Sequence, residues 1–172
     1  MTKTTTENIE IRRLRLHEIP TFANLRNEIS NEAEHVIAKR GERKKEFGIR
    51  ILAMMLLSER RTHTFLAWQK GVAVGYLSLT FAKFRKFRGN AYLTIAVLAA
   101  SRSKGIGSKL MDIAETFAKM HGKRRMELEV FGINTRAIEL YKRRGYVIEG
   151  VKKNAVEDAH GYDDVIIMTK AL

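Results

Sequence analysis

The stretch from Val97 to Leu110, V-L-A-A-S-R-S-K-G-I-G-S-K-L, constrains this chain more than any other. It begins as the end of an apolar strand expected over residues 92–98. It turns through small and basic residues. It then opens a helix whose first turn holds Gly105 and Gly107. In a strand, Gly-rich turn and helix start, unpaired backbone N–H groups converge on an anion. The candidate binding residues are Arg102, Ser103, Lys104, Gly105, Ile106, Gly107 and Ser108, with Lys109 adding charge. The expected ligand is the phosphate or pyrophosphate of a nucleotide-bearing cofactor.

Spacing excludes two common phosphate loops. A dinucleotide-binding turn needs G-x-G-x-x-G, and Leu110 stands where its third Gly would be. A Walker loop needs four residues between its first Gly and a Gly-Lys-Ser/Thr, a spacing the chain lacks. The residues instead spell Arg-x-x-Gly-x-Gly, as Arg102, Gly105 and Gly107. A second pattern, N-T-R-A-I-E-L-Y-K-R-R-G-Y, fills residues 134–146 after a strand expected at 126–131. Asn134 is a good helix N-cap. Ala137 and Tyr141 are four residues apart, and Asn134 and Tyr141 seven, so all three share one helix face. Gly145 is placed to end that helix in a left-handed conformation.

Together these motifs resemble the GCN5-related N-acetyltransferase (GNAT) family, over residues 8–168 and most specifically over 97–150. The family often has Pro and Gly where this chain has Ala99 and Ser103. The resemblance implies a single mixed α/β domain with acetyl-CoA as co-substrate. It implies that Val97, Leu98 and Ala99 border the cofactor, with the N–H of Val97 or Leu98 facing the acetyl oxygen. It places the backbone amides from Arg102 to Ser108 on the pyrophosphate. It puts Asn134, with Ala137, on the pantetheine arm, and turns the Tyr141 hydroxyl toward the CoA sulfur as general acid. Glu149, Gly150, Gly161, Tyr162, Asp164 and Met168 look most like the branch acting on amino acids and small amines.

Acetyl transfer to an amine needs the amine neutral, although alkyl amines are mostly protonated at pH 7. The chain has no cysteine, which favours direct attack in a ternary complex over an acyl-enzyme. It also excludes disulfides and thiolate zinc sites. The five histidines show no metal-ligand spacing, so no metal is expected. Strand 92–98 carries no acid, so Glu28, Glu32, Glu34 and His35 are the candidates for a base acting through water.

Composition fits a compact cytoplasmic enzyme: 172 residues, 45% hydrophobic, one Pro. No apolar run approaches membrane-spanning length and no signal-peptide core is visible. The net charge is +13, and residues 60–111 hold ten basic residues and no acid. Part of that charge suits a phosphate-bearing cofactor and disfavours polyamine acceptors. Residues 81–90, F-A-K-F-R-K-F-R-G-N, exceed that need. They read either as an RNA-gripping surface or as a strand end whose phenylalanines face the core while the cations stay solvated. The period-2 alternation favours the second.

Along the chain, residues 1–7 read as a disordered tail and 8–172 as one acetyltransferase domain. Strands are expected at 9–14, 64–69, 72–81, 92–98, 126–131, 146–154 and 163–169, with Lys70-Gly71 turning a hairpin. Helices are expected at 17–29, 42–59 and 105–121 and after Asn134, with a loop at 30–41. That makes a central mixed sheet of about seven strands flanked by about four helices. The expected function is N-acetylation of an amino acid or similar small molecule, with Arg85 and Arg88 as partners for its carboxylate. The alternatives are acetylation of a protein N-terminus, or a CoA-binding or RNA- and ribosome-associated module without catalysis. A homodimer is compatible with this fold.

Overall fold

A computed structural model describes residues 9–32, 61–158 and 161–172. Its strands are β1 (Ile9–Arg13), β2 (Thr62–Gln69), β3 (Val72–Phe81), β4 (Asn90–Val97), β5 (Arg125–Phe131), β6 (Val147–Asp158) and β7 (Gly161–Ala171). Its α-helices are α1 (Ile19–Glu32), α2 (Ile106–Met120) and α3 (Thr135–Arg143). Three 3-10 turns occur at Leu16–Glu18, Arg85–Phe87 and Ala99–Ser101. One seven-stranded sheet runs in the order β1-β2-β3-β4-β5-β7-β6. It is mixed: β4 and β5 are parallel, whereas β1–β2, β5–β7 and β6–β7 are antiparallel. The expected α/β class and strand count hold. The expected tail at 1–7 and helix at 42–59 lie outside the described residues.

Two compact units can be described separately. The first holds Met1–Leu77 and Ile95–Leu110. Here Lys70 and Gly71 both take positive φ, 50° and 78°. A two-residue link of that hand matches the twist of the strands it joins. α1 buries Ile19, Phe22, Ala23, Leu25 and Ile29, a stripe at helical spacing, and the Phe22 ring meets Tyr76 edge-on at 5.1 Å. Burial opposes a charge on Glu18, but the Arg15 N–H at 2.9 Å and Arg12 at 2.6 Å outweigh it. They hold the Glu18 carboxyl below its ordinary range. α1 begins later than expected and runs to Glu32, into the segment read as loop.

The second unit holds Ser78–Thr94 and Met111–Leu172. β5 pairs along its whole length with β7, from Arg125↔Ala171 to Phe131↔Val165. Met111, Ala114 and Ala118 are fully buried along α2. Arg144, just past α3, reaches Asp112 at 2.5 Å and Glu115 at 3.2 Å on α2, and Lys170 of β7 reaches Glu115 at 2.7 Å. One expectation fails in this unit. Phe81 is buried, but Phe84 and Phe87 are 68% and 53% exposed. β3 ends at Phe81 and the chain enters a 3-10 turn, so the period-2 alternation that would have buried alternate rings stops there.

Candidate active site

The turn after β4 starts from an asymmetry at the strand's end. The Leu98 N–H donates to the Val74 carbonyl of β3 at 2.9 Å. Successive residues on a strand direct their peptide groups to opposite edges. Val97 therefore faces away from β3, and its carbonyl accepts Arg102 Nε at 3.0 Å. The parallel ladder of β4 with β5 covers Asn90–Leu93 and ends before Val97 is reached. Of the two amides expected to face an acetyl oxygen, that of Leu98 is already engaged. Gly75 lets β3 come this close, because a Cβ there would lie 3.0 Å from the Ala96 oxygen and 3.1 Å from Val97 Cγ2.

The Ala99–Ser101 turn then folds back, with the Ser101 hydroxyl 3.3 Å from Gln69 Oε1. Ser103 and Gly105 both take left-handed φ, 64° and 76°. Gly105 does so without strain, whereas Ser103 pays the steric cost of a Cβ in that region. Ser103 stands where the resemblance has Gly, and the backbone shows why Gly suits the position. α2 starts immediately after Gly105, whose carbonyl accepts the Lys109 N–H at 3.0 Å. The amides of Ile106, Gly107 and Ser108 thus precede the first intrahelical bond. A Cβ built on Gly105 meets nothing within 4 Å. No acid lies in the first turn of α2, and Arg102, Lys104 and Lys109 are exposed beside it. This donor set, open space and charge fit a pyrophosphate group.

A contact invisible in the sequence closes the turn. Glu32 Oε2, at the end of α1, accepts the Ala99 N–H at 2.8 Å across 67 residues. A Pro at residue 99 would have no N–H to donate. Ala99 supplies that donor, and Glu32 takes it. Glu28 lies one helical turn earlier and is exposed. Glu34 and His35 lie outside the described residues.

The second motif is built as a capped helix within the second unit. Asn134 Oδ1 accepts the Ala137 N–H at 3.2 Å, which caps α3. At the other end Gly145 takes φ +83°. Its N–H donates to Lys142 O at 2.9 Å, while the Tyr146 N–H donates to Tyr141 O at 3.0 Å. That is the paired bonding of a Schellman cap, which brings the residue beyond the glycine against the last turn. The Tyr146 ring duly lies 5.9 Å from that of Tyr141, and the Tyr146 hydroxyl meets Met126 Sδ at 3.6 Å. Tyr141 is buried, and its hydroxyl makes no hydrogen bond among the described residues. Burial pushes its pKa up to about 12, so the phenol stays protonated at working pH.

Other expected residues fall elsewhere. Arg85 and Arg88, expected to meet an acceptor's carboxylate, lie exposed at the 3-10 turn that precedes β4. Asp164 accepts Lys153 Nζ at 2.7 Å and the Asn154 N–H at 3.0 Å, which hold its carboxyl below the ordinary range. It fastens the irregular part of the β6–β7 pairing. Tyr162 is exposed. Among the described residues no cluster of three or more His, Asp or Glu could hold a metal, and no helix is long and apolar enough to cross a membrane.

The acetyltransferase (GNAT) family model matches residues 22–146. The chain belongs to the GNAT acetyltransferase family. It is an acyltransferase, and acetyl-CoA, the family's acyl donor, is its co-substrate. Its fold is similar to that of a GNAT-family acetyltransferase from Streptococcus pneumoniae, with a TM-score of 0.85 at 25% identity, covering 96% of this chain and 100% of that one. A ribosomal-protein-alanine N-acetyltransferase from Brucella melitensis matches at TM-score 0.80 and 21% identity, over 95% and 99% of the two chains. The yncA protein of Salmonella typhimurium, with its cofactor acetyl-CoA, matches at TM-score 0.80 and 19% identity, over 95% and 94%. No curated protein sequence matches this GNAT chain.

Two predictions follow from the turn. Ser103→Gly relieves the left-handed strain and raises stability by about 1 kcal/mol, read as a higher Tm. A lower Tm would show that the serine side chain contributes more than the strain costs. Glu32→Ala lowers stability by up to about 1 kcal/mol in the natural background but has no effect in an Ala99→Pro background. Additive costs in this double-mutant cycle would refute the Glu32–Ala99 coupling.

Proposed function

We propose that this acetyltransferase moves an acetyl group directly to the primary amine of an amino acid or similar small molecule. The observation that carries the mechanism is the buried Tyr141 phenol, protonated and without a hydrogen-bond partner among the described residues. Acetyl-CoA supplies the acetyl group already activated as a thioester. The amides of Ile106, Gly107 and Ser108, with Arg102 and Lys104, hold its pyrophosphate. Asn134 has committed Oδ1 to its cap, which leaves its side-chain N–H₂ to donate to an amide carbonyl of the pantetheine arm. The Val97 N–H points to the edge of β4 away from β3 and donates to the oxygen on which negative charge develops.

The acceptor's nitrogen lone pair forms the new C–N bond as the C–S bond breaks. The Tyr141 hydroxyl gives its proton to the departing sulfur. The nitrogen's surplus proton leaves through water, with Glu28 as the candidate base, since Glu32 is engaged by Ala99. With no cysteine in the chain, no acyl-enzyme on a thiol competes with this route.

A small, amino-acid-like acceptor is supported by the acid-free run from residue 60 to 111, which disfavours a polycation. It is also supported by the sequence likeness of the 149–168 tail to the amino-acid-acting branch. A second reading, acetylation of a protein N-terminus, is favoured by the structural likeness to the Brucella melitensis enzyme.

Tyr141→Phe keeps the ring packed against Tyr146 but removes the proton. kcat falls by roughly 10²-fold while the Kd for acetyl-CoA stays unchanged. In the natural enzyme kcat/KM rises as the amine deprotonates and shows no descending limb up to about pH 10, because the phenol remains protonated there. Full turnover in Tyr141→Phe would reduce the residue to a packing role. The acceptor class is read by comparing kcat/KM for a free amino acid, its amide, spermidine and a short peptide. The free amino acid is expected to lead. A lead for the amide or spermidine would overturn carboxylate recognition, and a lead for the peptide would establish the second reading.

A further inference from the structure

The link between β3 and β4 is unlike the rest of the surface. Residues 83–88 read K-F-R-K-F-R, the same three residues twice. All six are exposed. They turn through a 3-10 helix, with the Phe87 N–H donating to Phe84 O at 2.9 Å and the Arg88 N–H to Arg85 O at 3.3 Å. A 3-10 helix has three residues per turn, so side chains three apart eclipse. The helix itself is the single turn Arg85–Phe87, with Phe84 extended as its N-cap and Arg88 closing it. Phe84 and Phe87 thus flank Arg85 and Lys86 in one short turn, with Lys83 and Arg88 at its two ends.

The turn is held firmly from below. Lys123 Nζ donates to Arg88 O at 2.8 Å and sits 4.3 Å above the buried Phe81 ring. The Arg124 and Arg125 N–H groups donate to Gly89 O at 2.8 and 3.2 Å. Among the described residues, none of Lys83, Arg85, Lys86, Arg88 and Arg124 has a carboxylate partner. Phe84 and Phe87 lie largely in water, with Lys83 Nζ 6.0 Å from the centre of the Phe84 ring.

We propose that this turn binds single-stranded nucleic acid, with bases stacking on Phe84 and Phe87 and phosphates lying along the flanking cations. Unpaired bases offer flat π faces at a regular repeat, and the backbone offers one negative charge per repeat. The patch presents complements to both in one turn. A duplex keeps its bases stacked on one another and would use only the cations. A bilayer fits less well: Arg85 and Lys86 lie between the two rings at the tip of the turn, so the rings could enter the acyl region only by carrying two charges with them. Arg85 and Arg88 carry no role in the acetyl-transfer steps proposed above.

The test uses the full chain and a fluorescein-labelled twelve-nucleotide oligouridine RNA, with Kd read by anisotropy at several salt concentrations. The natural protein is expected to bind with a salt slope of about −0.7 per phosphate contacted. Phe84→Ala/Phe87→Ala weakens binding at least tenfold, in line with the loss of base–aromatic stacking. Tm and the Kd for acetyl-CoA stay unchanged, because both rings are exposed. Arg85→Gln/Arg88→Gln makes the salt slope shallower. A duplex of the same length binds less tightly and ignores the phenylalanine substitutions. Equal RNA affinity before and after the phenylalanine substitutions overturns the proposal. So does selective binding to phosphatidylserine vesicles with none to the RNA, an outcome that would assign the turn to a membrane surface.

Discussion

Among the described residues the end of β4 is bonded to a neighbouring strand along one edge, that of β3, and the turn that follows is arranged around that fact. Gly75 allows β3 to press close, Val74 takes the Leu98 N–H, and the strand cannot drift away from β3. Alternation along the backbone then leaves Val97 facing the other way, with its carbonyl clamped by Arg102. The clamp shapes the turn that follows: Ser101 ties back to Gln69, Ser103 and Gly105 adopt left-handed backbone, and α2 begins with its first amides unbonded. The outward-facing Val97 amide and the open start of α2, to which the proposed mechanism gives the acetyl oxygen and the pyrophosphate, are thus two results of one local arrangement.

The parts that could be read from the sequence are those whose causes are local. The strand, turn and helix at 97–110 announce themselves through glycines and small residues. α3 is bounded by an Asn that caps it and a Gly that ends it, within a dozen residues of each other. The sheet's strand count likewise follows from short apolar runs between turn residues. What escaped the sequence depends on distant chain or on where one period gives way to another. Glu32 and Ala99 are far apart along the chain, and nothing in either neighbourhood names the other. The one available hint was that residue 99 is not the Pro common in the family, so a spare N–H needed an acceptor. The phenylalanines at 84 and 87 were misjudged because alternation was extended past Phe81, where β3 ends.

Charge on this chain is divided among different tasks. Arg144 and Lys170 converge on Glu115, and Arg12 neutralises buried Glu18, so these cations hold elements together. Arg102 serves the turn through a backbone carbonyl. The cations of the β3–β4 link do neither, which is why a net charge of +13 is not explained by a phosphate-bearing co-substrate alone.

The Gly145-Tyr146 pair has a consequence for anyone wishing to move this chemistry to another scaffold. Tyr141 is held by the cap of its own helix: its carbonyl accepts the Tyr146 N–H, and its ring rests near the ring of that same residue. A tyrosine grafted alone onto a foreign helix would arrive without the wall behind it. The portable unit is the six-residue segment 141–146, in which the proposed proton donor, the stop signal and the bearing surface are written consecutively.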